Sequence, residues 1–212
     1  MRPSAAGVDV WTVDLVGASA RWTVLSAGER SRAARFRRWR DRDRYAASHV
    51  ALRTILAGYT ESDPAALVFE TEENGRPRLA GHSLSFSLSR AADMAVCAVA
   101  TDGTVGVDVE RVDPTIDIGL LARHWLSPRQ RRVSVALGGD ERAVHFFTCW
   151  TALEARVKAT GEGLTGAEAG GRLHAALPPG WRAHHFSPDD GYVACLVTSD
   201  GTDVGWRRWE AA

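Results

Sequence analysis

Met94-Ala-Val-Cys-Ala-Val-Ala-Thr-Asp-Gly103 recurs, little altered, as Tyr192-Val-Ala-Cys-Leu-Val-Thr-Ser-Asp-Gly201, with Cys97 and Cys195 in register. Each copy is a short apolar run closed by Asp-Gly, the pattern of a buried strand that ends in a turn. A second pair accompanies it: Ala51-Leu-Arg-Thr-Ile-Leu-Ala57 resembles Ala152-Leu-Glu-Ala-Arg-Val-Lys158 at nearly the same separation. A helix and a strand repeated in the same order predict an α+β fold of two similar halves. The division falls near Thr101 to Gly106, giving an N-terminal half over residues 1–104 and a C-terminal half over 105–212. A site built between two such halves is the natural expectation.

Working outward, Val8 to Leu15 alternates loosely and predicts a first strand. Leu84 to Leu88 and Val105 to Val109 read as further strands, as do the repeated cores Met94 to Ala100 and Tyr192 to Thr198. Glu29 to Arg44 is Arg-rich, and Tyr45 to Ala57 continues it with Ala, Leu and Ile at helical spacing. Together they predict one long helix or two stacked ones, ended by Gly58. Glu72-Glu73-Asn74-Gly75 marks a turn, and Phe146 to Thr160 reads as a helix stopped at Gly161.

The 212 residues suffice for one large domain or two small ones, each with a proper core. Apolar residues at 45% and charged residues at 25% place the chain among ordinary globular proteins rather than disordered ones. Lys+Arg and Asp+Glu number 26 each, so no global field draws in a polyanion and any such argument must be local. The cysteines Cys97, Cys149 and Cys195 form no CxxC pair and sit in apolar stretches, as small core residues of a reducing compartment do. No apolar run approaches the roughly 20 residues of a membrane helix. Met1 to Val10 lacks the basic segment and apolar core of a signal peptide. A soluble, cytoplasmic protein is expected.

The chemistry begins at Gly106-Val-Asp-Val-Glu-Arg-Val112. On a strand, Asp108 and Glu110 point to one face while Val107 and Val109 point to the other. Two carboxylates side by side repel each other unless a cation sits between them; the plain alternative is a solvated strand face with Arg111 as partner. Next comes Trp150-Thr-Ala-Leu-Glu-Ala-Arg-Val-Lys-Ala-Thr-Gly-Glu-Gly-Leu164, where Glu154 and Lys158 share a helix face, as a surface ion pair also would. Trp150, Leu153 and Val157 form the apolar stripe, so Glu154 and Lys158 flank the core where a cleft would open.

Three carboxylates and a lysine suit a magnesium–phosphate site, because Mg2+ is held by one or two carboxylates together with substrate phosphates. A lysine there neutralises charge building on a phosphate oxygen. No HExxH, Walker loop or GxSxG occurs. Between Arg30 and Arg44 stand eight arginines interleaved with Phe36 and Trp39. They form a solvated helix face or a surface for an anionic small molecule, an acidic protein or a nucleic acid. Arg76, on the turn Asn74-Gly-Arg-Pro-Arg78, is placed to join a phosphate site.

At these residues the sequence is similar to the Sfp-type 4′-phosphopantetheinyl transferases, from about Ser26 to Leu164. The resemblance rests on the Gly106–Glu110 strand and the Trp150–Leu164 helix in that order and spacing, with Arg35-Phe36, Arg44 and Gly75-Arg76-Pro77 matching further blocks. It implies a pseudo-twofold monomer with CoA between its halves. Such enzymes move the phosphopantetheine arm of CoA onto a serine of an acyl or peptidyl carrier protein, in settings such as secondary metabolite biosynthesis, and release 3′,5′-ADP. By position, Asp108, Glu110 and Glu154 would hold Mg2+, Glu154 would help deprotonate the acceptor serine, and Lys158 would stabilise the departing phosphate. Arg44, Arg76 and Ser87 would contact the nucleotide and its 3′-phosphate, with Arg32 a weaker candidate.

Two departures stand out. The family's Ser-His-Ser segment reads Ser87-Leu88-Ser89, and the first lysine of the helix motif is Leu153. Losing one charged donor to a transferring phosphate costs roughly 2–4 kcal/mol, a hundredfold or more in rate. Arg90, two residues on, is a candidate to supply the missing charge. The competing readings are a CoA- or carrier-protein-binding relative with altered chemistry and an Arg-rich nucleic-acid-binding protein. Against the latter stand the balanced charge and the absence of a nucleic-acid motif.

Overall fold

The computed structural model describes residues 7–16, 21–164, 173–199 and 202–210. Residues 1–6, part of the stretch examined for a signal peptide, and 200–201, the end of the second repeat, lie outside the described residues. The first half runs β1 (Val8–Asp14), α1 (Ala27–Ala34), α2 (Trp39–Thr60), a small hairpin of β2 (Phe69–Thr71) and β3 (Pro77–Leu79), β4 (Ser85–Ala91) and β5 (Met94–Ala100). The second runs β6 (Gly106–Arg111), α3 (Ile118–Trp125), α4 (Pro128–Ala136), α5 (Gly139–Thr160), β7 (Trp181–Phe186), β8 (Tyr192–Ser199) and β9 (Val204–Trp209).

The repeated strands are the centres of two sheets. β5 pairs antiparallel with β1 and β4, and β8 pairs antiparallel with β6 and β7. β1–α2–β4–β5 and β6–α5–β7–β8 therefore share one order and one pairing scheme, and α2 and α5 both span 22 residues. The exception is β9, which crosses back to lie parallel beside β1 in the first sheet.

Strand alternation decides the layers. Val8, Val10, Val96 and Ala98 of the first sheet meet Val107, Val109 and Leu196 of the second in a core between the sheets. Trp11, Val13, Ala95 and Cys97 turn the other way, onto Ile55 and Leu56 of α2. Cys195 and Val197 likewise pack on Ala155 and Ala159 of α5. The layers are helix, sheet, sheet, helix. β5 is buried on both faces, which is why it reads as an unbroken apolar run. The cysteines are free thiols; Cys97 and Cys195 are buried in equivalent places, as expected of small core residues, whereas Cys149 is only half-buried.

Two helix limits differ from the sequence reading. The Arg-rich segment breaks into two helices at Arg35–Arg38, but Gly58 lies inside α2 rather than ending it. A helical glycine costs only about 1 kcal/mol relative to alanine, and buried Ile55, Leu56 and Ala57 carry the helix past it. Its end is made instead by Glu61, left-handed at φ 51°, whose N–H bonds the Ala57 carbonyl. α5 does stop at Gly161 (φ 73°), yet begins at Gly139, where Asp140 and Glu141 favour the helix N-terminus.

α1 is pinned by a buried charge. The Arg53 side chain, 2% exposed, donates from Nε to Glu29 Oε2 at 2.8 Å. Its Nη1 donates to the carbonyls of Pro64 and Leu67 at 2.9 and 3.0 Å. Glu29 also closes a capping box with Ser26, so the start of α1 is fixed against α2.

α5 lies almost directly on the backbone of β6. A Cβ on Gly106 would stand 2.2 Å from the Ala155 carbonyl oxygen and 2.5 Å from the Ala159 nitrogen. Gly106→Ala should therefore lower stability by about 2 kcal/mol or more through overpacking. Gly28→Ala, whose nearest contact would be 3.9 Å away, should be neutral or slightly stabilising. Urea unfolding of both variants checks this, and similar midpoints for the two would refute the contact.

Candidate active site

β4 and β6 belong to different sheets and are joined through side chains. Ser85, Ser87 and Ser89 share one face of β4. Val105 N–H donates to Ser85 Oγ at 3.3 Å, and Val107 N–H donates to Ser87 Oγ at 3.1 Å. Ser89 donates to Asp108 Oδ1 at 2.7 Å. The Arg76 guanidinium closes one end, donating to Ser85 Oγ and, at 3.2 Å, to the Val105 carbonyl.

Beside this junction, Gly106 lets α5 place Lys158 on Asp108. Lys158 Nζ donates to Asp108 Oδ1 at 2.6 Å and to the Val107 carbonyl at 3.2 Å. Asp108 is 4% exposed, and its other oxygen, Oδ2, is buried without a partner among the described residues. Glu110, on the same face of β6, accepts from the Trp150 indole N–H at 3.2 Å. Burial first, then the Asp108 carboxylate, pushes Glu110 up to about 7. Glu154 is also raised, by burial chiefly, with Lys158 opposing the shift and Asp108 adding to it. As they stand, no three Asp, Glu, His or Cys side chains form a cation cage among the described residues. The oxygen donors nevertheless fit a hard cation. Asp108 Oδ2 has no partner among the described residues, and Glu110 and Glu154 are raised by burial and by the Asp108 charge.

A cavity of about 1070 Å3 lies between α2, β4 and α5; Asp108 and Glu110 are not among the residues that line it. Glu154 and Lys158 reach it from the second half, and Arg32, Arg76, Ser87 and Arg90 from the first. A smaller groove of about 580 Å3, lined by Arg35 and Phe36, shares Gly28 and Arg32 with it.

The family model of the 4′-phosphopantetheinyl transferase superfamily matches residues 104–207, which include the acidic strand and α5. The chain is 33% identical over 197 residues to the 4′-phosphopantetheinyl transferase HetI of Nostoc sp., covering 86% of this chain and 81% of that one. It is 31% identical over 143 residues to a Bacillus subtilis 4′-phosphopantetheinyl transferase, covering 66% and 62% of the two. A third relative, the 4′-phosphopantetheinyl transferase psf-1 of Bacillus pumilus, is 32% identical over 142 residues, covering 66% and 60%. The chain belongs to the 4′-phosphopantetheinyl transferase superfamily.

Within this transferase, Arg44 lies apart from the other residues expected at the nucleotide. Its Nε donates to Asp93 Oδ1 at 2.8 Å, tying α2 to the β4–β5 turn, and it is not on the cavity wall. Ser87 is on that wall, with its oxygen already accepting from Val107. Of the two departures, Leu153 is buried with Val157 beside Trp125 and Trp150 and faces no part of the cavity. Leu88 lines it, with its body against the first half's core. No described helix is long and apolar enough to cross a membrane.

Four groups escaped the sequence reading: Ser89 on Asp108, the Trp150 indole on Glu110, and Tyr45 and His49 on the cavity wall. The spacing of Ser85, Ser87 and Ser89 was the legible signal for the first; nothing local marked the others. Burial lowers the His49 pKa to about 4, and its ring stacks on Tyr45 with centroids 3.9 Å apart. The unfolded chain takes up this proton near pH 6.5, the folded chain only near pH 4. Stability is therefore intact above the unfolded value and falls as pH drops through the window, by up to about 3 kcal/mol. His49→Gln should lose less than the parent between pH 7 and pH 4.5 in urea titrations. Equal losses would show that His49 charges freely in the folded state.

Proposed function

We propose that this chain moves the 4′-phosphopantetheine arm of CoA onto a serine of an acyl or peptidyl carrier protein, releasing 3′,5′-ADP. The observation that carries this reading is the convergence of Glu154 and Lys158 with Arg32, Arg76 and Arg90 on one cavity. A phosphate-rich ligand fits such a wall, with a base and a cation at one end. On this reading the first half (1–104) supplies nucleotide contacts, and the second (105–212) supplies the acidic cluster and the catalytic helix.

Asp108, Glu110 and Glu154 would hold Mg2+, which when bound offsets the charge of the diphosphate. Glu154 accepts the proton of the attacking serine hydroxyl; burial raises its pKa, which makes it a stronger base than an exposed carboxylate. The serine oxygen forms the new P–O bond at the phosphorus bearing the pantetheine arm, and the bond to the nucleotide phosphate breaks. Lys158, held between Asp108 and the Val107 carbonyl, faces the oxygen that leaves and balances its charge. Arg76 and Ser87 contact the nucleotide, whereas Arg44 would reach it only by giving up Asp93. The protein would act as a cytoplasmic monomer.

Leu153 lies in an apolar cluster, so its loss of charge leaves the cavity untouched and the departure at Leu88 alone bears on activity. Incubation with CoA, Mg2+ and apo carrier proteins, followed by intact-mass analysis, should show one phosphopantetheine added to a carrier. Glu154→Gln should slow that addition by about a hundredfold or more with the fold unchanged by circular dichroism. CoA binding with no added mass on any carrier would favour a binding protein that has lost the transfer step.

A further inference from the structure

Asp108 is held by one of its two oxygens. Oδ1 accepts from Lys158 Nζ at 2.6 Å and from Ser89 Oγ at 2.7 Å, and two donors fill the lone pairs of that oxygen. Oδ2 is buried and has no partner among the described residues. A buried carboxylate oxygen left unsatisfied is costly, so a cation that completes it is favoured. The two donors thus decide which oxygen is kept open.

Those donors are not equally firm. Lys158 carries its ammonium on a flexible four-carbon stem, its side chain is 30% exposed, and the transfer reading turns it toward the departing phosphate. Ser89 is 9% exposed, its hydroxyl is one bond from Cβ, and β4 pairs with β5 along its whole length from Ser85 to Ala91. Asp108 is fixed in the same way, opposite Cys195 on β8. β4 and β6 lie in different sheets, so the Ser89–Asp108 bond reaches from one rigid strand of the first half to another of the second. The neighbouring serines do different work. Ser85 and Ser87 accept from the N–H groups of Val105 and Val107, which already bridge the seam, whereas Ser89 donates its proton to a carboxylate.

We infer that Ser89 is a positioning residue for a divalent cation: from the first half it fixes Asp108 of the second so that Oδ2 stays open to the ion. The inference rests on the transfer reading above, and a metal-binding measurement separates the two. The full chain, Ser89→Ala and Ser89→Thr would be titrated with Mn2+, an oxygen-seeking and paramagnetic substitute for Mg2+, at saturating CoA. Ser89→Ala should bind Mn2+ roughly tenfold to a hundredfold more weakly, the loss expected when the outer partner of a metal-ligating carboxylate is removed. Its affinity for 3′,5′-ADP, titrated without metal, should stay within about twofold. Ser89→Thr keeps the hydroxyl and should recover most of the loss. If Ser89→Ala does not fold, Ser89→Cys, similar in size but a weaker donor, should show the same loss in part. Parent-like Mn2+ affinity in the alanine or cysteine variant, an equal loss in Ser89→Thr, or metal and nucleotide weakened alike would refute the positioning role while the transfer reading stands. If the parent binds CoA but no Mn2+, the inference and the magnesium step of that reading fall together.

Discussion

The structure turns on the contact between α5 and the backbone of β6 at Gly106. A helix normally stands off from a strand by the depth of a side chain. Here Ala155 and Ala159 meet a residue with none, and the helix settles onto the main chain. That approach brings Lys158 within 2.6 Å of Asp108 and lets it touch the Val107 carbonyl as well. A shift of one side chain's depth would separate the lysine from the strand and leave Asp108 buried with only Ser89 for company. The geometry of the acidic cluster is thus a packing property before it is an electrostatic one.

The second consequence concerns the seam between the halves. β4 and β6 are not partners in a sheet, and their edges are bridged by serine hydroxyls. A hydroxyl can both donate and accept, so alternate serines on one strand face serve backbone N–H groups in one place and a carboxylate in another. An apolar face there would have left the N–H groups of Val105 and Val107 unsatisfied, at about 1–3 kcal/mol each. The same seam carries one wall of the cavity, so the halves and the site are held by one set of bonds.

Charge is distributed unevenly along that wall. Carboxylates gather where α5 meets β6, and one of their oxygens, Asp108 Oδ2, has no partner among the described residues. Arginines gather on α1 and β4, where α1 is held in place by the buried Arg53–Glu29 pair. Breaking such a pair by removing one partner strands a buried charge, which is why its placement is rigid. The rings of Phe36 and Tyr45 then set where the Arg90 guanidinium stands.

Much of this was legible in the residues alone. Apolar runs, Asp-Gly closures and Gly161 marked the repeated strands and the end of α5, because strand burial and left-handed caps leave local signatures. The repeat itself gave the two-halved α+β architecture, and the period-two spacing of Asp108 and Glu110 put both on one face. What the sequence by itself could not decide was every relation between distant segments. Gly58 gave no warning that buried neighbours would carry α2 past it. Arg44 carried no sign that Asp93 would claim it, nor Leu153 that it would lie in an apolar cluster. Local pattern reports which face a residue takes, whereas the partner on that face is chosen by packing, and only the folded chain performs that choice.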